Sequence, residues 1–415
     1  MKRAMLAFCM AVIAALAISE AARADTVTDW NVNAVSALVG TAAQSPTVST
    51  VHLSMVHGAV FDAVNSIDGR YEPYVVDVRA RDWYSRDAAA ATAAYKVLLA
   101  LVPAQAPTLG AQYEASMGAI PAGPARDGGA RVGAIAAAAM LQDRDGDGRY
   151  GTYRFPAPAS SSDPWPVGQW RPVLPAFGND PGAWVKDVRP FLVEDPKRFA
   201  RSAPHPLTSR AYARELAEVK AVGALDSTVR TADQTDQARF WAEGPQPFTR
   251  AARVLAAERR LRDVDTARMF AMLYMTAADT AIATWNGKAK YTFWRPITAI
   301  RGAADDGNAM TEPDAGWLPL INTPAYPEHP SGLSSLGAAM AVSLERVFGH
   351  RARFTMNSTT SGTTRDYRGF AQAVDEIVDA RVFSGIHFRK ADEDGAQIGV
   401  EVAREGLARH FERDF

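Results

Sequence analysis

The sequence predicts an all-α protein, and three observations lead to that prediction. Apolar residues recur every three or four positions in segments spread along the chain, for example between residues 51 and 64. The segments 87–101 and 125–141 are rich in alanine, whose small side chain lets helices approach closely in a bundle. No run alternates apolar and polar residues for long enough to indicate a strand, and no Asn-Gly turn lies between β-branched segments.

The composition is that of an ordinary globular protein. The chain has 415 residues, of which 47% are hydrophobic and 22% are charged, and its formal net charge is −1. A chain of this length can bury one large core or two. The balanced charge gives no reason to expect nucleic acid or an anionic membrane surface as a partner. The single cysteine, Cys9, lies in the N-terminal segment, so no disulfide or thiolate metal site is expected in the rest of the chain.

Residues 1–24 predict a signal peptide. Positions 2–3 are basic, positions 4–18 are apolar, and an Ala-Arg-Ala sequence at 22–24 has the small-x-small pattern of a cleavage site. The apolar run is short for a bilayer span. We therefore expect an exported protein, periplasmic or secreted, with no membrane span in the mature chain.

The mature chain, residues 25–415, is expected to form a single domain in two parts. Residues 25–208 would supply N-terminal helices and a covering loop, and residues 209–415 a bundle that carries the site. The stretch 151–208 is rich in proline, serine and tryptophan without sustained periodicity, which predicts a long loop with a functional or covering role. Residues 263–285 are apolar on nearly every face, which predicts a central buried helix.

Asp279 lies within that central segment, where an unpaired buried carboxylate would be costly. Two alternatives are open at this point. The carboxylate pairs with one of the cations Lys288, Arg295 or Arg381, or it faces solvent at a turn.

An acidic turn at residues 143–148 imitates the start of a calcium-binding loop. Asp143, Asp145 and Asp147 occupy the first, third and fifth positions, and glycine occupies the sixth. The twelfth position is Arg154, where such loops carry a bidentate glutamate. The preferred interpretation is therefore a Gly-assisted turn without calcium.

The stretch around Arg381 and His387 predicts a binding site for a tetrahedral oxyanion. The two residues flank a Ser384-Gly385 break between two predicted helices, so both side chains can point into one pocket. Arginine presents a fixed fork of donors that suits an oxyanion. A neutral imidazole nitrogen can act as a nucleophile or as a ligand.

Two other stretches add donors to this predicted pocket. Lys288 and Arg295 are seven residues apart, which places them on one face of a helix. Ser331 and Gly332 open an apolar helix, whose start offers a hydroxyl and free backbone N–H groups to an anion. If the cations at 288, 295 and 381 converge, they repel one another unless an anion lies between them.

Three motifs, in their order along the chain, resemble those of the vanadium-dependent haloperoxidase and type 2 phosphatidic acid phosphatase (PAP2) superfamily. The three motifs are Lys288-x6-Arg295-Pro296, Pro330-Ser331-Gly332 and Arg381-x5-His387. The similarity extends to residues 55–73 and 240–245, a breadth typical of the soluble bacterial haloperoxidase-like branch. The resemblance implies two packed four-helix-type bundles, with vanadate, or phosphate in the same site, held in the C-terminal bundle.

The resemblance also implies roles for individual residues. His387 would be the apical vanadate ligand of a haloperoxidase, or the nucleophile that forms a phosphohistidine in a phosphatase. Arg381 would join it as a catalytic residue, and Tyr326 would form a pocket wall near the halide. The oxyanion would be held by Lys288, Arg295, Ser331, Gly332 and Arg381. The reactants would be hydrogen peroxide and halide, or a small phosphate ester.

One position departs from the family pattern. The second family motif is Pro-Ser-Gly-His, and its histidine is replaced here by Leu333, which has no proton to exchange. A positioned general acid typically contributes about 10²–10⁴ in rate. His329 precedes the helix, and we expect no rescue from it. Three functional hypotheses therefore stay open. They are a haloperoxidase-like enzyme impaired by Leu333, a secreted acid phosphatase, and a catalytically silent relative that binds phosphate or vanadate.

Overall fold

The computed structural model describes residues 25–414 and is built mainly from helices, which confirms the predicted all-α class. The predicted signal peptide, with Cys9, lies outside the described residues. The helices of the N-terminal part are α1 (Thr26–Val35, followed by a π-helical turn at Ser36–Thr41), α2 (Pro46–Asp68), α3 (Arg86–Leu101), α4 (Ala106–Gly118) and α5 (Pro124–Asp143). A Cβ added at Gly133 of α5 would lie 2.3 Å from Ala89 O of α3, so the Ala-rich helices do approach closely.

Eight further helices follow a long connection. They are α6 (Arg210–Val222), α7 (Ala232–Phe240), α8 (Gln246–Glu258), α9 (Asp263–Tyr291), α10 (Pro296–Arg301), α11 (Gly332–Phe348), α12 (Phe370–Phe383) and α13 (Arg389–Leu407). The long helix α9 packs against α2 and also against α11 and α13. One hydrophobic core therefore includes residues from both parts of the chain.

A short β-hairpin lies between α11 and α12, so the prediction of a chain without strands is wrong at this place. Strand β1 (Phe354–Asn357) pairs antiparallel with β2 (Thr364–Tyr367). Phe354 lies opposite Tyr367, and its ring also stacks on Phe370. Each strand has four residues, which is too short for an alternating pattern to stand out from the sequence.

The connection between α5 and α6 contains only two short 3₁₀ turns, Ala183–Asp187 and Pro196–Phe199, as expected for a long loop. Asp279 of α9 is fully buried against this loop and accepts N–H hydrogen bonds from Phe191, Leu192 and Val193 at 2.6–2.9 Å. Both alternatives predicted for Asp279 are therefore wrong. Its partners are backbone N–H groups distant in sequence, which no side-chain pattern indicates.

The acidic turn after α5 is held by arginines. Asp147 is buried, and its two oxygens accept hydrogen bonds from Arg144 Nε at 2.8 Å and Arg149 Nε at 2.9 Å. The carboxylate that a calcium ion would need is thus already paired. Within residues 25–414, no group of three His, Cys, Asp or Glu side chains could hold a metal ion, and no helix is long and apolar enough to span a membrane.

Candidate functional site

The turn between α12 and α13 brings Arg381 and His387 to one pocket. Gly385 in this turn has φ +76°, a conformation that favours glycine. A Cβ at this position would also lie 2.3 Å from Gly223 O. Arg381 is in the last turn of α12, His387 follows the glycine, and both side chains are buried.

His387 is held by hydrogen bonds at both ring nitrogens. Its Nδ1 lies 2.9 Å from Glu328 Oε1, and its Nε2 lies 3.1 Å from Arg295 Nη1. The same Glu328 oxygen accepts the Phe388 N–H at 2.9 Å, so Oε1 is an acceptor and the ring proton lies on Nδ1. The Nε2 lone pair then faces the cationic side of the pocket.

Burial lowers the pKa of His387 well below its ordinary value, and the nearby charges of Arg295 and Lys288 lower it further. The imidazole is therefore neutral at physiological pH. A neutral ring with its proton on Nδ1 leaves Nε2 unprotonated, and this is the form that can ligate a metal or attack phosphorus.

The residue Glu328 was not singled out from the sequence. It is fully buried, and burial raises the pKa of its carboxyl well above the ordinary value, against the lowering effect of Arg295. The available signal was an acidic residue two positions before the Pro-Ser-Gly motif, between Pro327 and His329. Spacing alone could not connect it to His387, which lies 59 residues further along the chain.

The two arginines keep buried N–H groups unpaired. Arg295 donates from Nε to Tyr326 O at 2.9 Å and from Nη1 to Ile386 O at 2.8 Å, while its Nη2 has no partner in the part of the chain that the structure describes. Arg381 makes one long contact, from Nη1 to Trp241 O at 3.5 Å, and its Nε has no partner among residues 25–414. Such unpaired cationic donors are the groups an oxyanion would satisfy.

Lys288 lies beneath the Pro-Ser-Gly motif and the residues that precede it. Its Nζ donates to Pro327 O at 2.8 Å, Glu328 O at 3.0 Å and Pro330 O at 2.6 Å. These bonds use all three ammonium protons, so this geometry leaves none for an anion. Its oxyanion contact therefore stays a prediction, and its observed contacts are with the backbone of residues 327–330.

Ser331 is the N-cap of α11 and makes no side-chain cap bond there. Its hydroxyl is buried and lies 3.2 Å from Ser334 Oγ. At the next position, a Cβ in place of Gly332 would lie 3.2 Å from the Trp285 ring. The helix start is thus closely packed and can present a hydroxyl and backbone N–H groups to a bound anion.

A cavity of about 180 Å³ leads to these residues and includes Arg381 and Gly332 in its lining. Leu333 and Tyr326 form part of its wall. Asp180, from the long loop, also lines it and accepts a hydrogen bond from Trp285 Nε1 at 2.9 Å. The long loop therefore shapes the entrance to the pocket.

His329 does not take the place of the missing histidine. Its Nε2 lies 2.9 Å from Ser202 O and 3.5 Å from Asp394 Oδ2. Burial lowers its pKa to about 4. The imidazole is thus neutral and directed at the loop around Ser202.

The site as a whole suits a tetrahedral oxyanion. It combines a neutral imidazole, two arginines with unpaired N–H groups, and the N-terminus of α11. The charges of Arg295, Lys288 and Arg381 all act on His387, and Lys288 directs its three protons to backbone carbonyls. Two carboxyl oxygens, Glu328 Oε2 and Asp392 Oδ2, are also buried without a partner within the described range.

Comparisons with known proteins point to one family. Residues 268–413 match the family described as the VCPO second helical-bundle domain. The chain is 28% identical over 292 residues to the vanadium chloroperoxidase of Curvularia inaequalis. That match covers 58% of this chain and 45% of the relative, so it spans less than half of the relative's length.

Solved structures share the fold. One is described as the first bacterial vanadium-dependent iodoperoxidase, with a TM-score of 0.79, 22% identity, and coverage of 94% of this chain and 97% of that one. Another is a holo-type bacterial vanadium-dependent chloroperoxidase, with a TM-score of 0.68, 18% identity, and coverage of 88% and 94%. At these identities the matches establish the fold.

Proposed function

Because the chain belongs to the vanadium haloperoxidase superfamily, we propose that it is a haloperoxidase-like enzyme that oxidises halide with hydrogen peroxide at a bound vanadate. The observation that carries this proposal is the neutral His387, whose Nε2 faces Arg295 in a pocket with unpaired cationic donors. The nature of the relatives supports vanadate as the cofactor and peroxide with halide as reactants.

The residues present fit vanadate by the chemistry of their donors. His387 Nε2 would be its ligand, and the free N–H groups of Arg295 and Arg381 would hold its oxygens, together with the Ser331 hydroxyl. Vanadate would act as a Lewis acid that polarises bound peroxide. Glu328 keeps the Nδ1 proton in place and so keeps Nε2 available.

The phosphatase alternative rests on the same imidazole. A neutral Nε2 beside two arginines is also suited to attack phosphorus. Leu333 counts against this alternative, since an alkoxide leaves poorly without a proton. A silent relative that binds phosphate or vanadate is the third candidate, and it too follows from the absence of a histidine at position 333.

One purified sample separates the three candidates. We expect bromide or iodide oxidation with added vanadate and peroxide, and no hydrolysis of p-nitrophenyl phosphate without vanadate. His387→Ala should abolish oxidation, while His350→Ala, which changes an exposed histidine, should not. Phosphatase activity alone would favour the second candidate, and phosphate binding without either activity the third.

We also propose that the protein is exported, on the basis of the basic, apolar and Ala-Arg-Ala segments of residues 1–24. Expression of the full chain in a bacterial host should place it in the periplasm or medium, with Asp25 as the first residue of the mature protein. Recovery from the cytoplasm with an intact N-terminus would contradict this proposal.

A further inference from the structure

A buried carboxyl group that the proposed mechanism does not use lies next to the oxyanion pocket. Asp392 is in the first turn of α13 and is fully buried. Its Oδ1 accepts a hydrogen bond from Ser334 Oγ at 2.9 Å, and the same Oγ lies 3.2 Å from Ser331 Oγ. Its Oδ2 has no hydrogen-bond partner between residues 25 and 414. A chain of hydroxyl groups thus connects the carboxyl to the N-cap of α11.

Two glycines bring this carboxyl into place. A Cβ at Gly395 would lie 2.6 Å from Ser331 O, and one at Gly399 would lie 2.1 Å from Ser335 O. In addition, Ser331 N donates to Ala391 O at 2.8 Å. The start of α13 therefore packs directly on the start of α11, in contact with its backbone.

Charged groups of several neighbouring elements act on Asp392, whereas α11 contributes only hydroxyl groups. The cations are Arg381 of α12, Arg389 at the start of α13, Lys288 of α9 and Arg295 before α10. The facing acid is Glu328.

Burial raises the pKa of Asp392 to about 7, against the lowering effects of the Ser331 hydroxyl and Arg381. Both protonation states are therefore populated near neutral pH. A carboxyl group that titrates in this range can both take up and release a proton during a reaction.

We propose that Asp392 is the proton-exchanging residue of the oxyanion pocket and replaces the histidine whose position Leu333 occupies. The proton moves along the hydroxyl chain. The O–H bond of Asp392 breaks as Ser334 accepts its proton, Ser334 passes its own proton to Ser331, and Ser331 passes its own to an oxygen of the bound anion. Each serine loses one proton and gains one, and no electron is transferred.

Protonation and anion binding must then be linked. An ionised Asp392 repels a dianion across the pocket, whereas the neutral acid does not. Binding of a dianion therefore raises the pKa of Asp392, and the pocket takes up a proton when it binds above that pKa. Affinity is constant at acid pH and falls by up to about tenfold per pH unit above the pKa of the free protein.

Calorimetric titration with sulfate tests this linkage, because sulfate keeps two charges throughout the range from pH 5.5 to 8.5. We expect the protein to take up close to one proton at pH 8, measured in two buffers that differ in ionisation enthalpy, and none at pH 5.5. Asp392→Asn should bind sulfate with the same affinity at every pH and take up no proton. Glu393→Gln changes an exposed carboxylate of the same helix and should behave as the natural protein.

Ser334→Ala provides a second test that does not remove the carboxyl. The Ser334 hydroxyl lowers the pKa of Asp392, so its loss should move the midpoint of the affinity profile to higher pH. Proton uptake that persists in Asp392→Asn but disappears in Glu328→Gln would overturn the proposal, as would an unmoved midpoint in Ser334→Ala.

This inference rests on the proposed function only in requiring an oxyanion pocket. Proton-linked sulfate binding without halide oxidation would leave the inference standing and contradict the proposed function. Halide oxidation together with sulfate binding that takes up no proton would support the proposed function and contradict the inference. Absence of sulfate binding at every pH would overturn the inference, while the halide oxidation assay alone decides the proposed function.

Discussion

The imidazole of His387 owes its chemical form to two neighbours that are far away in sequence. Glu328 fixes the ring proton on Nδ1, and Arg295 donates to Nε2. The sequence motifs predicted the arginine but gave no sign of the glutamate. The predicted common helix face of Lys288 and Arg295 is wrong, because α9 ends at Tyr291 and Arg295 is the N-cap of α10. A carboxylate behind a ligating histidine makes the ligand more basic and fixes its orientation.

Glu328→Gln tests this role at the residue scale. The amide oxygen can still accept the Nδ1 and Phe388 protons, so the fold should be retained, while the carboxyl group behind the imidazole is lost. Vanadate affinity or activity should fall by about 10–100-fold, as is usual for such outer contacts. Calorimetric titration with vanadate measures the effect. Glu258→Gln, at an exposed position, is the control, and equal affinity in both variants would contradict the assignment.

Leu333→His restores the family motif in the wall of the cavity. A histidine here can exchange protons with a bound ligand, so we expect the rate of halide oxidation to rise by about tenfold. This is less than the full contribution of about 10²–10⁴ from general acid–base catalysis, because Asp392 already exchanges protons with the bound anion. Leu333→Gln, which adds polarity without a titrating group near neutral pH, should give no such rise. An unchanged rate in Leu333→His would show that position 333 does not contact the reacting atoms.

At the scale of elements, the helices were predictable because their apolar periodicity is local. The hairpin of β1 and β2 was missed since four residues per strand are too few for a pattern. The turn between α12 and α13 was located correctly from its Ser-Gly pair, since a glycine break between two helices is a local signal. The contact of α13 with α11 depends on the spacing of Gly395 and Gly399, which gains meaning only when both helices are in place.

Gly385→Ala should disrupt the site through this turn. The residue has φ +76°, and a Cβ would lie 2.3 Å from Gly223 O, so the turn must shift and carry Arg381 and His387 with it. Gly69→Ala is a matched control, because its φ is +68° and no atom lies within 4 Å of the added Cβ. Both variants should lose about 1 kcal/mol from strain. Only Gly385→Ala should also lose anion affinity, and retained affinity would contradict the prediction.

At the scale of the whole molecule, α9 holds the structure together. It packs on α2, α11 and α13, and it fastens the long loop through Asp279. The sequence predicted a buried central helix from its uniform apolar character. It could not reveal the hydrogen bonds between Asp279 and the loop, because almost every residue type has a backbone N–H group and the sequence does not show which of them bind a side chain.

Asp279→Asn should loosen this attachment. An amide offers one acceptor oxygen where the carboxylate offers two, so at least one buried N–H of residues 191–193 loses its partner, at a cost of about 1–3 kcal/mol. Urea unfolding at pH 7.5 measures the free energy of unfolding. Asp195→Asn, an exposed position of the same loop, should change it little, and equal stability of the two variants would show that the loop does not depend on Asp279.

The ammonium of Lys288 binds three carbonyl groups of one backbone segment, residues 327–330, beneath the pocket. Because these bonds fix residues 327–330, the base of the pocket cannot widen or flatten around a bound ion. The pocket should therefore select ions by shape. Tetrahedral ions such as vanadate, phosphate or sulfate can bind the arginines and the start of α11 together, whereas a planar ion such as nitrate would leave one of those donors unpaired.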